Sequence, residues 1–213
     1  MAKHILTGRA AEGAGPSQLA PVVAAFSQYV SRRSWIRRCV VHVATDALAG
    51  ALGPPRGADG VDVMVELWAS TDAGDLADAP LAQASAYRVE EMVEKGDGVF
   101  APGPVEGIMV LARLTAKPGL SLSQVRAGYD RHPLTALRVH GMERYSRHWT
   151  QEVLTKGATP FFGFSILHYA TDEDRIERHY NSPEGRQEIR EDLDSFLDYD
   201  RLLVMEARTH AIR

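Results

Sequence analysis

The same order of apolar strands and helical segments occurs twice along the 213 residues of this chain. In each half an apolar strand precedes a loop with Gly, Pro and Ser, a helical pattern, two further strands and a second helical pattern. The corresponding segments are 3–8 with 106–116, 34–45 with 141–153, 60–72 with 161–174, and 79–95 with 181–197. A last strand in each half completes the order β-α-β-β-α-β. The predicted fold class is therefore α+β, with two tandem ferredoxin-like units.

The boundary between the two units is predicted from the stretch 96–107, "GDGVFAPGPVEG". Its Gly and Pro residues favour turns, so we assign to it the last strand of the first half and the junction. Two domains follow from this assignment. A degenerate ferredoxin-like half occupies 1–106, and a complete one occupies 107–213.

Serines at the starts of the helical patterns are suitable N-caps, namely Ser17 in the first half and Ser121 or Ser123 in the second. The helix that follows "KPGLSLSQ" is expected to end in "YDRHP", because Pro133 disfavours helical backbone at the residue before it. His132 is then placed at the C-terminal end of that helix.

The charge and the cysteine content exclude several classes of function. A net charge of −4 and a pI near 6.1 give no electrostatic attraction to nucleic acid or to an anionic membrane. No apolar run approaches the ~20 residues that span a bilayer, and the N-terminus has no signal-peptide core. Cys39 is the single cysteine, which excludes an internal disulfide. We expect a cytoplasmic protein that binds neither nucleic acid nor membrane.

The motif search predicts neither a metal site nor a cofactor. The chain has eight histidines, but no H-x-H, H-E-x-x-H or facial-triad spacing occurs among them. A dinucleotide fingerprint, a phosphate-binding loop and a nucleophile elbow are also missing from the sequence. Heme ligation by one histidine is left open as an alternative, although no spacing selects for it.

Strand alternation assigns side chains to two faces, one packed on helices and one opposite. The residues predicted on the face away from the helices are Arg38, Val40, His42, Asp62, Met64, Glu66, Trp68, Tyr145, Arg147, Trp149, Phe162, Phe164, Ile166 and His168. A one-residue bulge in 141–153 would exchange Trp149 with His148.

An exposed patch of this size is typical of an interface or a ligand pocket. If two such sheets face each other, they close a barrel whose apolar interior contains a few polar groups, as expected for a small-molecule site. The alternative is that these residues only hold the sheets together. Glu66 and Arg38 argue against it, because charges cost free energy in a dry seam.

The second half resembles the EthD family, named for ethyl tert-butyl ether degradation, within the dimeric α/β-barrel superfamily. The matching pieces are "LTAKPGLSLSQVRAGYDRHPLTAL", "GMERYSRHWTQEV", "FFGFSILHY", "NSPEGRQEIREDLDSFLD" and "RLLVMEAR". They include the His-Pro-Leu element at 132–134 and the Ser-Pro-Glu-Gly-Arg element at 182–186. In the first half only "DGVDVMVELW" is similar, and "AAFSQYV" stands where the His-Pro-Leu element would fall.

The resemblance implies ferredoxin-like units whose sheets pack into a barrel, usually between two chains. A homodimer is therefore expected, although a tandem copy could also close the barrel within one chain. Relatives in the superfamily include cofactor-free cyclases and dehydratases, lactone isomerases, small-quinol monooxygenases, heme enzymes and accessory proteins. The fold alone therefore does not select a reaction.

Histidines suit the role of base in a cofactor-free barrel, and Tyr or Arg suits the role of donor to the anion that forms. The predicted catalytic residues are His132, His168, Tyr145 and Arg147. The predicted substrate-binding residues are Tyr129, Trp149, Phe164, Arg38, His42, Met64, Glu66 and Trp68. Structural alternatives stand beside these roles. His132 could bond a last-turn carbonyl, His168 could be a hydrogen-bonded core residue, and Glu66 could pair with Arg38 only to stabilise the fold.

We therefore predict a cofactor-independent lyase, dehydratase, cyclase or isomerase that acts on a small aromatic or polyketide-like compound. Two alternatives are kept. One is a cofactor-free monooxygenase of phenols or quinols, and the other is a non-catalytic binding or accessory protein.

Overall fold

Eight strands and four helices form the regular structure in this computed structural model, which describes residues 1–10, 19–45, 61–70 and 76–213. The strands are β1 (Ala2–Arg9), β2 (Ile36–Ala44), β3 (Val63–Ala69), β4 (Ala82–Lys95), β5 (Gly103–Leu114), β6 (Arg144–Val153), β7 (Gly163–Tyr169) and β8 (Leu203–Ala211). The helices are α1 (Leu19–Ser31), α2 (Leu122–Val139), α3 (Asp172–Glu177) and α4 (Pro183–Asp194). The predicted α+β class is confirmed. None of the helices in these residues is long and apolar enough to cross a membrane.

The eight strands close into one antiparallel barrel in the order β1-β3-β2-β8-β5-β7-β6-β4. Closure pairs both edges of every strand, which a lone four-stranded sheet cannot do. Within each half the strands follow the order fourth, first, third, second, and the second strand of each half pairs with the fourth strand of the other. The barrel therefore closes within one chain.

The helix predicted over 79–95 is wrong, because these residues contain the long strand β4. Ala, Glu, Met and Lys are good helix formers, which explains the error. Tertiary pairing overrides that preference, since β4 lies between β1 and β6 and forms hydrogen bonds with one edge of each. The strand predicted within 96–107 is displaced as a consequence. β4 ends at Lys95, and β5 begins at Gly103 and runs through the boundary proposed at 106.

The helix end predicted at "YDRHP" is also wrong, because α2 continues through Pro133 to Val139. Proline removes the backbone hydrogen bond to the carbonyl four residues earlier, which belongs to Tyr129. Arg147 of β6 donates to that carbonyl at 2.5 Å and so satisfies it. The predicted N-cap is confirmed at Ser121, which forms a capping box with Gln124, whereas Ser17 lies outside the described residues.

Both faces of the barrel wall are buried. On the outer face, α1 places Phe26 in one cluster with Cys39 and Val65. On the inner face, Met64 and Phe164 share a cluster although they come from opposite halves of the chain. Each fully buried side chain of this kind stabilises the fold by roughly 1.5–3 kcal/mol through removal of apolar surface from water. The barrel interior is therefore a second apolar core in which polar groups need partners.

Candidate active site

The barrel interior receives most of the side chains predicted to face away from the helices. The pairing of β2 with β3 shows this directly, because residues opposite each other on the two strands, such as His42 and Met64 or Arg38 and Trp68, point to the same face. The residues of the predicted site that lie inside the barrel are Arg38, His42, Met64, Glu66, Trp68, Phe164 and His168. The face prediction is correct for these positions on β2, β3 and β7.

The face prediction is wrong for β6, where Tyr145, Arg147 and Trp149 lie outside the barrel against helices. Tyr145 belongs to a cluster with residues of α2 and α4, and Trp149 packs near Tyr129 with their ring centroids 6.1 Å apart. His148 pairs with Phe164 of β7 and faces inward instead. Polarity could not reveal this register, since the helices bury the outer face of β6 as fully as the barrel buries its inner face.

Two further aromatic residues lie outside the barrel. Phe162 precedes β7 and packs edge-to-face on Tyr129, with their centroids 5.4 Å apart. The hydroxyl of Tyr129 donates to the backbone carbonyl of Phe164 at 2.8 Å. Burial raises the pKa of the Tyr129 hydroxyl, so this group stays protonated and fastens α2 to the barrel wall.

Lys3 forms the centre of a polar cluster within the barrel. Its ammonium contacts Glu66 and lies 2.6 Å from both Glu91 Oε1 and His148 Nε2. His42 extends the cluster, with Nε2 3.0 Å from Glu66 Oε1. Strands β1, β2, β3, β4 and β6 each supply one of these five residues.

Charge compensation decides the ionisation of this cluster. Burial acts to raise the pKa of Glu66, but the Lys3 ammonium and the hydrogen bond from His42 hold it well below its usual value. Burial likewise opposes ionisation of Glu91, whereas the adjacent His148 side chain and the Lys3 ammonium lower its pKa to about 2. Burial, followed by the Lys3 charge, lowers the pKa of His148. Two carboxylates and a neutral imidazole therefore surround one ammonium.

His168 lies on the inner face of β7 and has a defined tautomer. Its Nε2 is 2.8 Å from the carbonyl oxygen of Glu106, which can only accept, so Nε2 carries the hydrogen. The Nδ1 atom is then a lone-pair acceptor, buried and without a hydrogen-bond partner among the described residues. The Glu143 carboxylate lies 3.8 Å from it.

A bulge in β5 supplies the carbonyl that fixes this tautomer. The pairing of β5 with β8 shifts between Val105 and Met109, and Gly107 has a φ of +83° within the shift. A side chain at Gly107 would overlap the backbone carbonyl of Tyr169, so only glycine fits there. The bulge leaves Glu106 free to accept from His168.

A narrow cleft joins His168 to the Lys3 cluster. Its space for water-sized molecules is only about 20 Å³, so a bound molecule larger than water needs the surrounding side chains to move apart. Its lining combines apolar side chains with charges of both signs. The lining residues include Glu66, Glu91, Lys95, Phe100, Met109, Arg144, Tyr145, Ile166 and His168, although the Tyr145 side chain packs mainly toward the helices. This mixture of apolar walls and a few convergent polar groups is typical of a small-molecule site.

His132 lies outside the barrel, between α2 and α4. Its Nδ1 is 2.6 Å from Asp192 Oδ2, and the imidazole packs on Phe196 with a centroid distance of 5.9 Å. This contact between His132 and Asp192 joins the two helices. His132 and His168 are not brought together.

The sequence reasoning missed Lys3, Glu91 and Arg144 as members of the site, and it named His148 only as the alternative to Trp149 in a bulged strand. Lys3 offered one signal, since this charged residue shares a strand face with the apolar Ile5. Glu91 offered none, because its segment was assigned to a helix. No local spacing could join residues that lie 63 and 145 positions from Lys3, as Glu66 and His148 do.

No family of known sequences and no curated protein matches this chain. Several solved structures resemble its fold, among them the following two. An anthrone oxidase-like protein matches with a TM-score of 0.64 and 8% identity, over 99% of this chain and 92% of the other. A candidate monooxygenase from Fusobacterium nucleatum subsp. nucleatum matches with a TM-score of 0.54 and 8% identity, over 100% and 92%. At this identity the two likenesses bear on the fold alone, and they agree with the predicted barrel.

Proposed function

We propose that this protein is an enzyme that removes a proton from a small aromatic or phenolic substrate inside its barrel, with a histidine base and no cofactor. The observation that carries the proposal is the free Nδ1 atom of His168 beside a partly apolar cleft. An imidazole nitrogen that carries a lone pair and has no hydrogen-bond partner among the described residues is placed to accept a proton from a bound molecule. We assign the base to His168.

His132 is the weaker candidate for this role. Its Nδ1 is occupied by Asp192, and the residue lies between two helices on the outer surface of the barrel wall. A base must come within hydrogen-bond reach of the proton that it removes. The His168 side chain lines the cleft, whereas His132 does not.

Two cations line the cleft and suit the anion that proton removal creates. Arg144 lies over the ring of Phe100, 4.5 Å from its centroid, and donates to Asp97 at 2.7 Å. Lys95 donates to the backbone carbonyl of Met142 at 2.6 Å. Positive charge fixed near the developing enolate or phenolate lowers the barrier to its formation.

The fate of that anion defines the reaction class. Elimination, ring closure or reprotonation at another carbon gives a lyase, dehydratase, cyclase or isomerase, and these steps need no oxidant. Reaction of the anion with O2 gives a cofactor-free monooxygenase instead. The names of the two similar structures favour this second candidate, since one is anthrone oxidase-like and the other a candidate monooxygenase.

Anthrone is a suitable first probe, because its ring methylene protons are acidic and its oxidation is readily followed. Under argon in D2O, the protein should accelerate deuterium exchange at that methylene, measured by NMR. His168→Gln should slow the exchange by about 10²–10⁴-fold, because glutamine can still donate to Glu106 but cannot act as a base. His132→Gln is the matched control and should leave the rate unchanged.

Oxygen uptake then separates the two reaction classes. With a monooxygenase, anthrone and O2 give anthraquinone and water, and an oxygen electrode records consumption of one O2 per anthrone. Exchange without O2 uptake would favour a lyase or isomerase. If the wild-type protein bound anthrone without accelerating exchange, and phenolic analogues behaved alike, the proposal would give way to a non-catalytic binding protein.

Three finer assignments accompany this function as proposals. Membership of the EthD family is supported by the His-Pro-Leu and Ser-Pro-Glu-Gly-Arg elements. Two tandem ferredoxin-like halves are supported by the common strand order of both halves, and the boundary predicted near 106 lies in the first residues of β5. A homodimer is expected from the resemblance alone, and light scattering of the purified protein measures it.

A further inference from the structure

Three side-chain atoms of metal-ligand type converge on one point in the barrel. Glu66, Glu91 and His148 each present one such atom, and these atoms all lie within 4.8 Å of one another. His148 Nε2 is 3.7 Å from Glu66 Oε2 and 3.6 Å from Glu91 Oε1. Two ligands at about 2.1 Å from a tetrahedral ion are about 3.4 Å apart, so these two spacings suit a common ion.

The ammonium of Lys3 lies at the point where these atoms converge. It contacts Glu66 Oε2 and lies 2.6 Å from the ligand atoms of Glu91 and His148. An ammonium has three N–H donors, so each ligand atom receives one. The Lys3 ammonium thus occupies the position that a metal ion bound to these three atoms would take.

The outer partners of the three residues also resemble those of metal ligands. His42 Nε2 lies 3.0 Å from the second oxygen of Glu66, and His42 Nδ1 lies 2.8 Å from Thr209 Oγ1. Trp68 donates to the second oxygen of Glu91 at 3.1 Å. Such bonds hold a ligand in the orientation that coordination requires.

An entry path to this point exists at the barrel surface. Lys3, Trp68 and Glu91 line a groove that is open to solvent, and the Glu91 side chain is 22% exposed. His148 is completely buried, and its Nδ1 has no partner within the described parts of the chain. An ion could therefore reach the carboxylate of Glu91 from solvent and meet the imidazole behind it.

We infer that Glu66, Glu91 and His148 form a divalent transition-metal site that the Lys3 ammonium fills in the native protein, and that removal of this ammonium opens the site to an ion. One imidazole and two carboxylates suit Zn²⁺, Co²⁺, Fe²⁺ or Mn²⁺. Lys3 is then the residue that excludes an ion from this site. The inference concerns ion binding and holds whatever reaction the cleft catalyses.

The test compares Lys3→Met with the wild-type protein and with Lys117→Met, whose lysine forms an exposed pair with Asp194. Co²⁺ is the probe, because its visible absorption reports coordination, and calorimetry gives the affinity and stoichiometry. We expect one Co²⁺ per Lys3→Met chain, and at least about tenfold weaker binding by the other two proteins. Adding His148→Ala should abolish binding. Adding His42→Ala should weaken it about 10–100-fold, because His42 orients Glu66.

Three results would overturn the inference. Folded Lys3→Met, checked by circular dichroism, could bind no Co²⁺. It could bind Co²⁺ equally well after His148→Ala, which would place the ion elsewhere. The wild-type protein could bind as tightly as the variant, which would show that Lys3 does not compete. If Lys3→Met does not fold, Lys3→Gln removes the same charge with a polar side chain, and the same outcomes apply to it.

Discussion

The guanidinium of Arg147 donates to the backbone carbonyl of Tyr129 at 2.5 Å and lies 4.5 Å from the centroid of its ring. This carbonyl is the one that Pro133 deprives of its helical partner. Arg147 therefore replaces a missing backbone hydrogen bond. Through it, a strand of the barrel wall stabilises α2 at the proline, and the helix passes the proline intact.

A double-mutant cycle tests this relationship. Arg147→Ala should lower the free energy of unfolding by about 1–3 kcal/mol, because it leaves the Tyr129 carbonyl buried without a donor. In a Pro133→Ala background the backbone N–H of residue 133 can bond that carbonyl, so the loss on removing Arg147 should be smaller. Urea unfolding of the four proteins gives the coupling energy. Strict additivity would show that Arg147 acts only through its ion pair with Glu94.

The buried charge of Lys3 predicts a large effect on stability. Lys3→Met leaves two carboxylates uncompensated, and breaking a buried pair in this way costs about 3–5 kcal/mol. Lys117→Met removes an equal charge from an exposed pair and should cost about 0–1 kcal/mol. Chemical denaturation of both variants measures the difference. Equal losses would mean that the cluster is hydrated and contributes little.

The stacked pair His140 and His179 predicts loss of stability in mild acid. Their ring centroids are 4.6 Å apart, and burial lowers the pKa of His140 to about 4 and that of His179 well below its usual value. The unfolded chain binds these protons near pH 6.5 and the folded chain does not, so stability is complete above that pH and falls as the pH decreases toward 4. For His140 alone, the loss between pH 7 and pH 5 should be about 2 kcal/mol.

Unfolding by urea at the two pH values measures this loss. His140→Asn keeps a donor for the backbone carbonyl of His179 but has no group that titrates in this range. Its stability should therefore depend less on pH than that of the wild-type protein. An unchanged difference between pH 7 and pH 5 would exclude His140 as the source.

His132 predicts an effect on stability without an effect on proton transfer. His132→Ala removes the bond to Asp192 that joins α2 to α4, and should cost about 1–3 kcal/mol. The cleft is formed by other residues, so the exchange rate per folded molecule should be retained. Thermal unfolding and the exchange assay are measured on the same preparation. A variant with unchanged stability and lost exchange would instead favour His132 as the base.

The sequence by itself determined the α+β class, the order of most elements, a serine cap at 121 or 123 and the inward faces of β2, β3 and β7. These features are local. A capping serine acts within one turn, and alternation identifies a face wherever polar and apolar residues separate cleanly along one strand.

Only the tertiary structure decided that 82–95 is a strand, that His148 rather than Trp149 faces inward, and that Lys3 meets Glu66, Glu91 and His148. In each case the deciding contacts are tertiary. Residues 82–95 form a strand because β1 and β6 each need a partner along one edge, which outweighs helix propensity. Polarity does not identify the inward residue of β6, because both faces of that strand are buried. The Lys3 cluster arises from five strands that meet only when the barrel closes.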